Sequence, residues 1–293
     1  MVPLAGPEHP GHTEEPNVMF AKTISGATRR RARGRRRSGR RWAGRRRLAK
    51  RAFRTLRRAP SAVRITVAVV PLVAVWAGVN WIVQVAHKPT EILVPISGSL
   101  AKAPAETWRE YGPLFDKYST ADITPELLAA LAQVEGSGNP VAGTYWRWRP
   151  SWNPFDVYRP ASSAVGMFQI TDGTFAEARR YCIQDHMVVE TGCWFNELYT
   201  RVVPDHAVEM TAALLDRTVA HTLERNRLAR STLQQRQDLA AVIHLCGAGA
   251  GNEFARRGFR LRSGQRCGDH DARSYLRRVN ALKRQFARLN AST

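Results

Sequence analysis

From Ile65 to His87 the chain runs 23 residues without an Asp, Glu, Lys or Arg. A helix needs roughly 20 such residues, at about 1.5 Å rise each, to cross the apolar core of a bilayer. Pro71 falls in the first two turns, where it kinks a helix or marks its effective start. Trp81 lies near the far end, at the level an indole prefers beside the headgroups. A cleaved signal peptide fits less well. The run exceeds the usual 7–15 residue core, begins 64 residues into the chain, and no clean small-x-small cleavage site follows it. A buried helix of a globular domain fits least, because apolar residues cover every face. The segment 65–87 is therefore expected to be a single transmembrane helix.

Charge sets the expected direction. The formal net charge is +21, a balance that by itself points to nucleic acid or an anionic surface. It is not evenly spread. Residues 1–64 hold 19 Lys or Arg against Glu8, Glu14 and Glu15, and the remaining 229 residues carry only +5. Lys and Arg collect on the cytoplasmic side of a span. The N-terminus is thus expected inside and residues 88–293 outside, which in a bacterium means an inner-membrane anchor and a periplasmic domain. Residues 1–64 read as a disordered basic tail, and anionic lipid is the partner such a tail attracts. Few aromatics interleave with its arginines (Trp42 and Phe53) and no nucleic-acid-reading fold is recognisable, so no nucleic acid is expected.

Residues 88–118 contain Pro89, Pro95, Pro104 and Pro113 and read as a linker. From Thr124 the pattern turns helical: Pro125 suits the first helical position and Glu126 the positive end of the dipole. Further helices are expected over Glu177–Cys182, Asp205–Asn226, Thr232–Leu245 and Arg273–Leu289. Strand patterns are scarce. Residues 119–293 form the expected outer domain, mainly α.

All four cysteines, Cys182, Cys193, Cys246 and Cys267, lie in that domain. An even count in an oxidising compartment reads as disulfides, with three pairings open. The short local loops favour Cys182–Cys193 and Cys246–Cys267. A zinc site using His186, His244 or His270 lacks the paired Cys-x2–4-Cys spacing. No metal and no cofactor is expected.

Three stretches carry chemistry. The first is Glu135-Gly136-Ser137-Gly138-Asn139-Pro140, closing an apolar helix. An acid at the negative end of a helix dipole, beside a core and with no Lys or Arg in the ten residues before it, is favoured in its neutral form. That is what a general acid for glycoside cleavage requires, although a solvated Glu at a helix end is the commoner reading. The second is Ala164-Val165-Gly166-Met167-Phe168-Gln169-Ile170. Gly166 permits close backbone approach, Met167 and Phe168 offer apolar surface, and Gln169 offers an amide with donor and acceptor. The set suits the floor of a sugar groove, or a turn and a core segment. The third is Leu245-Cys246-Gly247-Ala248-Gly249-Ala250-Gly251, where an apolar helix ends in alternating Gly and Ala.

In this order the three stretches resemble the SLT-type lytic transglycosylases, relatives of goose-type lysozyme, over roughly residues 119–255. The family's segments read Glu-Ser-x-x-Asn-Pro, Ala-x-Gly-Leu-Met-Gln and Ala-Tyr-Asn-Ala-Gly. The resemblance implies a lysozyme-like fold and peptidoglycan glycan strands as substrate. It implies Glu135 as catalytic residue, and Ser137, Gly166, Met167, Phe168, Gln169, Ala248 and Gly249 as substrate-binding residues. The implied reaction cuts the β-1,4 bond between N-acetylmuramic acid and N-acetylglucosamine and leaves a 1,6-anhydro end. Cell-wall or secretion machinery is the implied setting.

Three departures stand out. Gly136 replaces the family's Ser, with Ser137 one position on. Cys246 and Gly247 replace its Tyr and Asn. The gap between the first two segments is lengthened by Tyr145-Trp146-Arg147-Trp148-Arg149-Pro150-Ser151-Trp152, which reads as a groove wall or a plain surface hairpin. A second carboxylate facing Glu135, with Asp156 and Asp172 as candidates, would favour hydrolysis. A decayed site would leave a peptidoglycan-binding module.

Overall fold

The computed structural model describes residues 54–93 and 97–292; most of the basic tail lies outside the described residues. The chain divides into two compact units, 1–76 and 77–293. The boundary falls within α1 (Ser61–His87), a helix that begins four residues before the uncharged run and contains Pro71. Its apolar window is wholly unburied, and it is long and apolar enough to cross a membrane.

The second unit is mostly helical. Its elements after α1 are α2 (Pro104–Lys117), α3 (Pro125–Gly136), the hairpin β1 (Trp146–Trp148) and β2 (Tyr158–Pro160), and α4 (Asp172–Ala178). Then come the hairpin β3 (Cys182–Gln184) and β4 (Met187–Val189), α5 (Pro204–Arg225), α6 (Leu233–Arg256), β5 (Arg266–Cys267), β6 (His270–Asp271) and α7 (Ala272–Ala291). All three strand pairs are antiparallel and two-stranded. The core lies where α3 packs against α7 and α2, and α5 against α6. Leu127, Leu128, Leu131, Met167, Phe168, Met210, Leu239 and Phe286 are wholly buried there.

The expected linker contributes a helix instead. Pro104 occupies the first turn of α2, where its missing N–H has no intrahelical partner to lose. The Glu106 carboxylate accepts from the Ala103 amide at 3.0 Å, satisfying one free donor of that end. Pro113 sits inside the helix, yet Thr107, Tyr111 and Phe115 recur on one buried face, and Trp108 packs on Phe286 of α7 at 5.7 Å between ring centres. Tertiary burial outweighs the local penalty of a helical proline.

The helix expected over Glu177–Cys182 lies earlier. Thr171 caps α4 by accepting from the Thr174 amide, and Cys182–Gln184 turns into β4 through Asp185 and His186, both with positive φ. The Cys182–Cys193 disulfide staples this hairpin's end, with Cα atoms 5.6 Å apart. Cys246 pairs with Cys267 at 5.3 Å. All four sulfurs are thereby engaged, which removes the thiolates a zinc site would need.

Candidate active site

Glu135 stands in the last turn of α3, on the far side of a wholly buried run from Leu127 to Ala132. Three contacts fix that helix end. The Thr107 hydroxyl donates to Gln133 Oε1 at 2.8 Å. The Gln133 amide donates to the Lys102 carbonyl at 3.0 Å. Past the end, buried Asn139 donates to the Ser97 carbonyl and accepts from the Val141 amide. The absence of a side chain at Gly136 is required: a Cβ there would come 2.7 Å from the Met167 Cα. The family's Ser at this position is thus excluded by the backbone of the second stretch. Ser137 is exposed with φ 51°, and its carbonyl accepts from the Lys102 amide.

The second stretch is a tight loop closed by the bridge Val165↔Ile170. Gly166 has φ +83°, and a Cβ would lie 2.3 Å from the Arg201 carbonyl. Gln169 also takes a left-handed conformation, and its amide donates to the Ala142 and Gly166 carbonyls, each at 3.0 Å. Met167 and Phe168 are wholly buried in the core. They offer no exposed side-chain surface, so the segment serves as a wedge under Glu135 with Gln169 at its margin.

The third stretch breaks α6 at Gly247, whose φ 81° and ψ 168° are non-helical. His244 lies one turn before the break, with Nε2 3.7 Å from Glu135 Oε1. The Cys246–Cys267 disulfide ties the break to the β5–β6 hairpin that leads into α7. From α7 the Tyr275 hydroxyl donates to Glu135 Oε1 at 2.5 Å. Burial first, then the Glu135 charge and this hydrogen bond, hold the phenol well above its ordinary range, so it remains a donor. Glu135 itself retains 17% side-chain exposure and His244 13%.

A cavity of about 300 Å³ opens beside this pair, lined by Gln169, Thr174, Glu177, His244, Gly247 and Ala248 among others. Gly249 is exposed just beyond. Of the two acids flanking the middle segment, Asp172 pairs with Arg201 at 2.8 Å and Asp156 with Arg159 at 3.7 Å. The carboxylate that does line the cavity is Glu177. None of residues 145–152 lines it. Their hairpin instead sends Trp146 Nε1 to Glu91 at 3.0 Å.

Sequence reasoning missed Tyr275. Its signal was present in the α7 pattern: Tyr275, Val279 and Phe286 form the buried face of that helix. A hydroxyl-bearing aromatic in such a row needs a partner when buried. The tyrosine absent from position 246 is matched by one from another helix.

The domain is mostly helical, and its largely shielded Glu135 carboxyl sits 3.7 Å from His244 on the cavity wall. Residues 113–235 match the family described as the transglycosylase SLT domain. No curated protein and no solved structure matches the chain. Residues 113–235 therefore read as an SLT domain, which supports a lytic-transglycosylase-like, peptidoglycan-acting function. Glu135 and Gln169 lie inside the matched residues, while His244 and Tyr275 reach Glu135 from positions beyond them.

Proposed function

We propose that this protein is a membrane-anchored lytic transglycosylase that cleaves the β-1,4 bond between N-acetylmuramic acid and N-acetylglucosamine. The reading rests on one observation above the rest: within the SLT domain, Glu135 accepts the Tyr275 hydroxyl on Oε1 and lies 3.7 Å from His244, which lines the cavity. That bond orients the carboxyl and leaves Oε2 to carry the proton. Glu135 Oε2–H protonates the glycosidic oxygen as its bond to the muramic C1 breaks. The resulting carboxylate then takes the proton of the muramic C6 hydroxyl, whose oxygen closes on C1 to give the 1,6-anhydro end. An intramolecular nucleophile explains why one carboxylate suffices. Gln169 and Ala248, with Gly249 and Ser137 at the margins, are the proposed contacts to the glycan; Gly166, Met167 and Phe168 act beneath them.

In the same reading α1 spans the inner membrane, the basic tail stays in the cytoplasm near anionic lipid, and the domain faces the periplasm. The apolar helix and the charge asymmetry support this. A periplasm-dependent reporter fused after residue 100 is expected to be active, and silence there would reverse the topology.

Digestion of sacculi by the full chain, followed by mass spectrometry, tests the chemistry. Anhydro-muropeptides are expected, and Glu135→Gln should lower their release by about a thousandfold. Glu177 motivates a second reading, since a second carboxylate in the cavity is what a hydrolase needs. Reducing ends that vanish with Glu177→Gln would establish it. Sacculus binding with no product from the wild type would leave a binding module.

A further inference from the structure

The hairpin β1–β2 and the last turns of α1 belong to the same compact unit, and their contacts explain an anomaly of the apolar run. Asn80 and Gln84 are amides inside a segment whose other polar side chains are Thr66 and, at its end, His87. In lipid an unpaired amide is costly. Here both are buried: Asn80 donates to the Tyr158 carbonyl at 2.8 Å and Gln84 to the Phe155 carbonyl at 2.7 Å. Below them Lys88 pairs with buried Glu91 at 2.9 Å and donates to the Ala164 carbonyl. The hairpin thus lies along residues 80–91.

Length places that contact at a membrane boundary. A helix of 27 residues is about 40 Å long, whereas the hydrocarbon layer is about 30 Å. With Trp81 at the headgroup level, the 20 residues from Ser61 to Asn80 cross the layer and the last turns of α1 emerge from it; these are the turns the hairpin clasps. The hairpin carries matching chemistry. Trp148 and Trp152 are exposed, Trp152 completely, although their loop adjoins a well-packed domain. Across residues 145–160 the hairpin carries Arg147, Arg149 and Arg159 against Asp156 alone, and Arg149 and Arg159 line a cavity of about 350 Å³ in which Lys88 and Arg201 pair with Glu91 and Asp172. Exposed indoles beside basic side chains are the composition of a surface that sits among anionic headgroups.

We propose that the β1–β2 hairpin is a second membrane contact, which seats Trp148 and Trp152 among anionic headgroups and fixes the domain against the bilayer. The inference rests on α1 being the anchor. It assigns the residues that lengthen the gap between the first two motifs to lipid rather than to the sugar groove, in keeping with their absence from the cavity beside Glu135.

The full chain can be tested in vesicles of phosphatidylethanolamine and phosphatidylglycerol, because its own cysteines are all in disulfides. Nitroxide labels go on Ser151→Cys at the hairpin tip, Leu72→Cys in α1, and Arg230→Cys as an exposed reference. A water-soluble nickel relaxant is expected to reach the label at 151 roughly tenfold less than that at 230. Adding Trp148→Ala and Trp152→Ala should restore its access. If 72 is shielded while 151 is as accessible as 230, the anchor stands and the hairpin contact is refuted. If 72 is itself open to nickel, the anchor reading fails and the hairpin contact with it. Shielding that survives loss of both tryptophans also overturns the proposal. So does a double variant that loses sacculus binding with nickel access unchanged, which would give the hairpin to the glycan.

Discussion

Tyr275 and Gly136 carry the residue-scale argument. Tyr275→Phe removes the donor to Glu135 Oε1 while keeping the ring that fills the core. Activity on glycan strands should fall by on the order of tenfold to a hundredfold, with a changed pH–rate profile and an unchanged melting temperature. A fall in melting temperature matching the loss of activity would instead make Tyr275 merely structural. Gly136 gives the opposite kind of test. Restoring the family's residue by Gly136→Ser drives a Cβ into the Met167 backbone. Since backbone yields poorly, about 1–3 kcal/mol of stability should be lost, read by thermal or urea denaturation. Activity should fall too, because the substituted residue adjoins Glu135 on α3 and the displaced segment bears Gln169. Glu135 was legible from its place after an apolar run and before a glycine-rich stop. For Tyr275 the α7 pattern showed a buried hydroxyl in need of a partner, but not which one, because that partner lies 140 positions away.

At the scale of elements, the break in α6 and the stapling of its end are coupled. Gly247 interrupts the helix one residue after Cys246, and the disulfide to Cys267 holds the break against β5–β6. Replacing both cysteines by serine releases a loop of 21 residues and should cost about 3 kcal/mol by loop entropy. His244 on α6 and Tyr275 on α7, which follows the stapled hairpin, should lose their shared approach to Glu135, so activity should decline before the domain unfolds. Helix α5 supplies a pH test. Asp216 accepts from the Thr120 hydroxyl. Burial, aided by the nearby Asp122 charge, raises its pKa above the ordinary 3.8 against the lowering effect of that bond and Arg217. The native state therefore holds this proton more tightly than the unfolded chain. The stabilisation is present below about 3.8 and is lost as pH rises through the raised native value. Asp216→Asn keeps an acceptor for Thr120 without the buried charge. It should melt higher than wild type at pH 7, with the advantage shrinking as pH falls toward 4, in scanning calorimetry across that range. The helices around these sites were readable from periodicity wherever one face met the core, as in Pro204–Arg225 and Ala272–Ala291. Pro104–Lys117 was not, because its prolines are tolerated only through packing that the sequence does not display. The β3–β4 and β5–β6 hairpins each carry a disulfide, and β3–β4 turns through positive-φ Asp185 and His186, features a hydrophobic pattern leaves unmarked.

For the whole molecule, the folded unit begins earlier than the composition of the chain implies. The headline charge of +21 and the apolar run draw the eye to a boundary after His87, yet the compact unit starts at Ala77. Asn80, Gln84, Lys88 and Glu91 all bond to residues between 146 and 164. A chain beginning at residue 97 loses these partners and leaves the Trp146 indole N–H without its acceptor. A chain beginning at Ala77 keeps them. Each lost buried hydrogen bond is worth about 1 kcal/mol, so amides of Trp146–Pro160 should exchange with an opening free energy lower by on the order of 2–4 kcal/mol in the shorter chain. Glu135 draws its contacts from α3, α6 and α7, so release of muropeptides from soluble glycan should be equal in the two. If hairpin exchange were the same in both chains, the clasp of α1 would be incidental to the fold. If catalysis fell with the hairpin, the segment between the first two motifs would be acting on the cleft after all.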